Sequence, residues 1–119
     1  MRNWEEAQEV CKSDGAQLAI VNNLLTHNAV KDLTNKGQAY WLGAIVNGPI
    51  PSDWYWIDGK GKKEMYDVSR YKEWRSDEPK GKGYLVMHQH EWIVDTNHTN
   101  TKYFVCQIRQ KDGKFILHE

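Results

Sequence analysis

Three groups of side chains in this 119-residue chain have the types and spacing for chemistry. His88, His90 and Glu91 would bring two imidazoles to one strand face, which is the beginning of a metal site. Nothing close in the sequence supplies a third and fourth ligand, so they read as ordinary surface residues, and neither a metal nor any other cofactor is expected. Cys11 and Cys106 lie near opposite ends, a separation that suits neither a clustered zinc site nor a Cys-x-x-Cys redox pair. Two readings remain open: a bridge closing a loop of about 95 residues, worth ~4–5 kcal/mol through the unfolded chain, or two unrelated buried thiols. Asn97-His98-Thr99 matches the N-glycosylation acceptor pattern and sits in a polar stretch from Thr96 to Thr101.

Catalytic constellations do not emerge. Ser13, Ser52, Ser69 and Ser76 stand in helical or loop contexts without a nucleophile elbow, and Gly59-Lys60-Gly61 reads as a hairpin turn, not a phosphate loop opening a helix. The protein is therefore not expected to be an enzyme. Lys plus Arg and Asp plus Glu number 16 each, so no net field draws the chain toward nucleic acid or an anionic bilayer. Apolar runs are only a few residues long, far short of a membrane span, and membrane insertion is not expected. No apolar leader precedes the first helical pattern, which suggests a processed or trimmed form. Six tryptophans in so polar a chain must mostly pack a core.

The elements that would position these groups follow from pattern. Asn3 with Glu6 resembles a capping box, and Trp4, Ala7 and Cys11 recur at helical spacing, predicting a helix over about 4–14 that Gly15 stops. Leu18, Ile20 and Val21 form a buried connector. Asn22 or Asn23 then caps a second helix, predicted to turn Leu25, Ala29 and Leu33 inward and to stop at Gly37. Strands are predicted over 39–46, 54–57, 84–88, 91–94 and 102–108. Turn-rich segments separate them at 47–51 and 58–63, and a long irregular stretch at 66–83 carries Tyr71, Trp74 and Pro79, which argue for order. Helices followed by a run of strands make one α+β domain over residues 1–119.

In this order and spacing the chain resembles the C-type lectin-like domain. The matching pieces are Trp4-x-x-Ala7-x-x-x-Cys11, Gly15-Ala16-Gln17-Leu18, Trp41-Leu42-Gly43-Ala44, Trp54-Tyr55-Trp56-Ile57-Asp58-Gly59, Tyr71-x-x-Trp74-x-x-x-Glu78-Pro79, Trp92, and Tyr103-Phe104-Val105-Cys106. The resemblance implies two helices flanking antiparallel sheets with a long irregular loop. It also implies that Cys11 and Cys106 form the family's long-range disulfide, and that Trp41, Leu42 and Gly43 lie in the central core. Trp54 and Trp56 alternate on one strand and share a face, expected to pack against the long loop, with a sugar-stacking platform as the functional alternative.

Three departures shape the functional expectation. The second, shorter disulfide usual in the family has no cysteines here. The segments that hold calcium in sugar-binding members read Glu78-Pro79-Lys80 and Trp92-Ile93-Val94, with Asp95 one residue out of place; calcium needs six to eight oxygen ligands, and too few remain. Lys80 is a candidate replacement cation that would pair with Glu78, and without a metal the Glu78–Pro79 bond is free to be cis, trans or mixed. Finally, the strand that usually precedes the first helix is absent, which would leave a vacant edge beside the closing strand and invite a homodimer, unless the tail containing Phe115, Ile116 and Leu117 fills it.

The resulting expectation is a secreted, calcium-independent recognition module for a protein or glycan ligand. It has the texture of invertebrate family members, which are often tied to innate immunity. Trp74, Glu78, Lys80, Trp92 and Asp95 are the candidate contacts, and Asn97 is the glycosylation candidate. The alternative is a calcium-dependent lectin with a rearranged metal site.

Overall fold

The computed structural model describes residues 1–48, 54–57, 63–64, 71–108 and 114–118. The turn-rich segments expected at 47–51 and 58–63 and the first part of the long stretch, 66–70, lie wholly or mostly outside them.

Helix α1 runs from Trp4 to Ser13 behind the expected capping box: Glu6 N donates to Asn3 Oδ1 at 2.9 Å, and Asn3 N donates to Glu6 Oε1 at 3.2 Å. Its buried stripe is Trp4, Ala7 and Cys11. Strand β1, Ala16–Leu18, follows at once. Helix α2, Leu24–Leu33, is capped by Asn23, whose Oδ1 accepts from Thr26 N at 2.8 Å.

Two expectations for α2 are corrected. Its buried side chains are His27 and Val30, while Leu25 is 82% exposed and Leu33 also faces out. At 3.6 residues per turn Leu25 lies nearly opposite His27 and Val30, so only one of the two faces can turn inward. The helix also ends before Gly37, because Thr34 adopts an extended conformation and its hydroxyl donates to Val30 O at 2.9 Å. A Thr side chain offers the backbone this kind of alternative to continuing the helix.

The remaining elements are β2 (Ala39–Val46), β3 (Trp54–Ile57), β4 (Lys63–Glu64), β5 (Gly83–His88), β6 (Glu91–Asp95), β7 (Tyr103–Ile108) and β8 (Phe115–His118). They form one connected sheet along β1-β7-β2-β3-β4, with β5 and β6 branching from β2 and β8 pairing with β7. All pairings are antiparallel except β2 with β7. β2 is shared between branches, and its pairing with β5 slips between Trp41 and Ile45. At the slip, Gly43 lies so close to β1 that an added Cβ would stand 2.6 Å from Leu18 O; only glycine fits that approach.

Cys11 and Cys106 are joined in a disulfide that ties α1 to β7. The core falls into two clusters, one around Trp4, Leu18, Trp41 and Phe104, the other around Leu42, Trp54, Trp56, Leu85 and Trp92. The vacant edge is also corrected. β8 pairs with β7 from Phe104↔His118 to Gln107↔Phe115, and Arg2 makes two backbone bonds with Lys102. The chain's own tail thus occupies the edge on which the homodimer expectation rested.

Candidate functional site

The site is built where the later part of the long stretch lies along β6. Strand β6 pairs with β5 on one side. On the other side Trp92 N donates to Glu73 O at 2.8 Å, Arg75 N donates to Trp92 O at 2.9 Å, and Val94 N donates to Glu78 Oε1 at 3.1 Å. The chain near Trp74 begins as a parallel bridge to β6, and two residues further along the Glu78 carboxylate takes the place of a backbone carbonyl. An edge strand's amides need such partners once they leave water.

Arg75 fastens the same stretch to the hairpin between β5 and β6. Its guanidinium donates to His88 O at 2.8 Å and to Gln89 Oε1, and reaches Glu91 Oε1 at 3.3 Å and His88 Nδ1 at 3.3 Å. The metal reading of His88, His90 and Glu91 thus has a physical answer. An arginine already binds His88 and Glu91, and His90 sits in the turn at φ +63°, off the strand face.

Beneath this stretch the aromatic side chains form a block. Trp74 meets Trp54 at 5.5 Å and Trp92 at 5.6 Å between ring centroids, and Tyr71 meets Trp92 at 5.9 Å, all close to perpendicular. Edge-to-face geometry of this kind suits the ring quadrupoles. Trp54 packs on Trp74 of the long stretch, as expected, while Trp56 packs on Trp54 and Trp92; both are buried and neither serves as a sugar platform. Trp92 has no exposed surface, so it supports the site from below, contrary to its place among the candidate contacts. Trp74 is half-buried and Lys80 exposed. The Glu78–Pro79 peptide is cis and Pro79 is buried.

The candidate Glu78–Lys80 pair does not form, and Glu78 Oε1 accepts from Val94 N. The pairing cation is instead Lys102, whose Nζ lies 3.0 Å from Asp95 Oδ2. Both side chains are largely buried, at 18% and 13% exposure. Asp95 also accepts from Asn97 N at 2.9 Å and from Asn100 Nδ2 at 2.9 Å. Burial pushes this carboxyl up, but the hydrogen bonds from Asn100, Asn97 and Lys102, with the charge of Lys102, outweigh it and hold Asp95 below the usual carboxylate value. Lys102 Nζ also lies 5.2 Å from the centre of the Trp41 ring, within cation–π range. Glycine is required at Gly83, beside this knot, where an added Cβ would meet Asp95 O at 2.1 Å.

A further polar group joins α2 to the long stretch. His27 is 3% exposed; its Nε2 lies 3.8 Å from Glu73 Oε2, and Glu73 Oε1 accepts from the Tyr71 hydroxyl. Sequence reasoning missed Lys102, Asn100, Arg75 and His27. The first two had no signal beyond lying within seven residues of Asp95, and His27 was hidden by the wrong choice of helix face.

The Lectin C-type domain family matches residues 1–108. The chain belongs to the C-type lectin domain family. Its members are generally recognition modules without enzymatic activity. The chain is 25% identical over 109 residues to human C-type lectin domain family 17, member A, covering 89% of this chain and 27% of that protein. It is 35% identical over 57 residues to the type-2 ice-structuring protein of Osmerus mordax, covering 47% of this chain and 32% of that one. It therefore spans about a third or less of these curated relatives. Among solved structures, the calcium-independent C-type lectin SPL-2 from Saxidomus purpuratus superposes with a TM-score of 0.69 at 21% identity, covering 92% of this chain and 82% of that one. That likeness is one of fold. No helix among the described residues is long and apolar enough to cross a membrane.

Proposed function

We propose that this domain is a secreted recognition module that grips a glycan or protein surface with its own side chains, without a calcium ion. The observation that carries the reading is the Lys102 ammonium bonded to Asp95. In the family resemblance Glu78 is the carboxylate that remains in the calcium-holding segments and Asp95 is a substitute one residue out of place, and here the Asp95 oxygens are taken by Lys102, Asn97 and Asn100. Glu78, the other carboxylate, is bonded to Val94 N. A dication would have to displace an ammonium ion and then find several more oxygens, since calcium takes six to eight. The residues present do not fit the metal.

The fixed cation carries out part of the metal's structural task. It neutralises a partly buried carboxylate and joins the end of β6 to the start of β7, so the surrounding backbone is set before any ligand arrives. Such preorganisation lowers the ordering cost of binding. Trp74, Lys80 and the rim of Glu78 and Asp95 are the proposed contacts, with Trp92 as their support. The disulfide between Cys11 and Cys106 supports an oxidising destination, and innate recognition is the setting carried over from the resemblance.

A glycan array probed with the labelled domain, with and without a chelator, tests the proposal. Ligand signals that persist unchanged in chelator are expected. Signals abolished by chelator and restored by calcium would reject it.

A further inference from the structure

Asn97-His98-Thr99 is the one Asn-x-Ser/Thr triplet in the chain, and all three residues are exposed on the connection between β6 and β7. Asn97 Oδ1 accepts from Thr99 Oγ1 at 2.7 Å and from Thr99 N at 3.0 Å. The carboxamide oxygen is thereby turned back onto its own loop, and Asn97 Nδ2 donates to no partner among the described residues. The loop root is fixed, because Asn97 N and Asn100 Nδ2 both donate to Asp95 and Asn100 N donates to Asn97 O at 3.2 Å. A long-range disulfide in the same chain places its folding in an oxidising compartment, where a surface Asn-x-Thr meets the modifying enzymes.

We infer that Asn97 is a site of N-linked glycosylation. The donor class is a polyprenyl-diphosphate-linked oligosaccharide. Asn97 Nδ2 forms a bond to the anomeric carbon, the bond from that carbon to the diphosphate oxygen breaks, and polyprenyl diphosphate leaves. One amide proton passes to a base of the transferring enzyme, and nothing is oxidised or reduced. The fold accommodates the product, since the modified nitrogen lies on an exposed turn and the hydrogen bonds to Asp95 come from other atoms.

The position also restricts the ligand's approach. Thr96 Cγ2 lies 3.7 Å from where a Cβ on Gly81 would stand, so the glycan would root beside the Lys80–Lys82 turn. This inference is independent of how the surface holds its ligand.

The test is secretion of the full chain from cultured mammalian cells, followed by intact mass and peptide mapping before and after peptide-N-glycosidase. The expected result is a mass above that of the bare chain, returning after digestion with Asn97 converted to Asp. Asn97→Gln and Thr99→Ala should remove the added mass, and Thr99→Ser should keep it, with the disulfide checked on non-reducing gels. Secreted, disulfide-bonded wild-type protein at the bare-chain mass would overturn the inference, as would added mass that survives in Asn97→Gln.

Discussion

Lys102 Nζ stands 3.0 Å from Asp95 Oδ2, and this contact joins the last residue of β6 to the residue preceding β7. Exposed ion pairs contribute little, but this one is mostly shielded from water and shares its carboxylate with two asparagines. Lys102→Met should keep the aliphatic packing on Trp41 and lose the charge. A loss of about 1–3 kcal/mol is expected in urea unfolding, with Asp95→Asn costing a similar amount; a variant as stable as wild type would show the pair to be idle.

Glu78 is predicted to act through its hydrogen bond to Val94 N. Glu78→Gln retains an acceptor oxygen and should unfold within about 0.5 kcal/mol of wild type, whereas Glu78→Ala leaves an amide unpaired and should lose about 1 kcal/mol. Equal stability of the two variants would contradict that role. Lys80→Ala removes an exposed side chain with no tie to Glu78 and should leave stability within about 0.5 kcal/mol while changing ligand binding.

Acid should weaken the fold through His27 and His90. Burial lowers the His27 pKa, the Glu73 carboxylate opposes this, and Lys31 and His90 add to the lowering. Burial likewise lowers His90, aided by Lys31 and Lys36 against Asp32. The unfolded chain then binds more protons than the native one below about pH 7, so stability is full above that range and is lost as pH falls through 6.5 toward the lowered native values. Asp95 is shifted in the same direction but from a lower starting value: its contribution is held above about pH 4 and lost only below it. Urea midpoints at pH 7.5 and 5.5 should show the histidine loss, and His27→Gln should reduce it. An unchanged difference in that variant would remove His27 from the account.

The exposed leucines of α2 make a further prediction. Leu25→Ser should cost no more than about 0.5 kcal/mol, whereas Val30→Ala, which empties a buried position on the same helix, should cost about 1–3 kcal/mol. A large loss from Leu25→Ser in thermal unfolding would mean that another surface covers it.

These contrasts mark how far the sequence could be read. Trp41-Leu42-Gly43, the capping box at Asn3, and strand bounds such as 39–46 and 54–57 were legible because local pattern and tertiary burial agree there. The face of α2 was not legible. Leu25, Ala29 and Leu33 have helical spacing too, and tertiary packing, with His27 against Tyr71 and Glu73 and Val30 in the core cluster, selects the other face instead. At the site, the proposed loss of calcium ligands around Glu78 rests on residue types. The cation that answers Asp95 could not be read from them, because Lys80 and Lys102 are equally basic in sequence and only the fold brings Lys102 to Asp95.

Melting temperature measured across a calcium titration tests the central claim most directly, because a ligand that binds only the folded state must raise apparent stability by mass action. With Lys102 bonded to Asp95, no shift is predicted up to millimolar calcium. A saturable rise that EDTA reverses, and that Asp95→Asn abolishes, would contradict it.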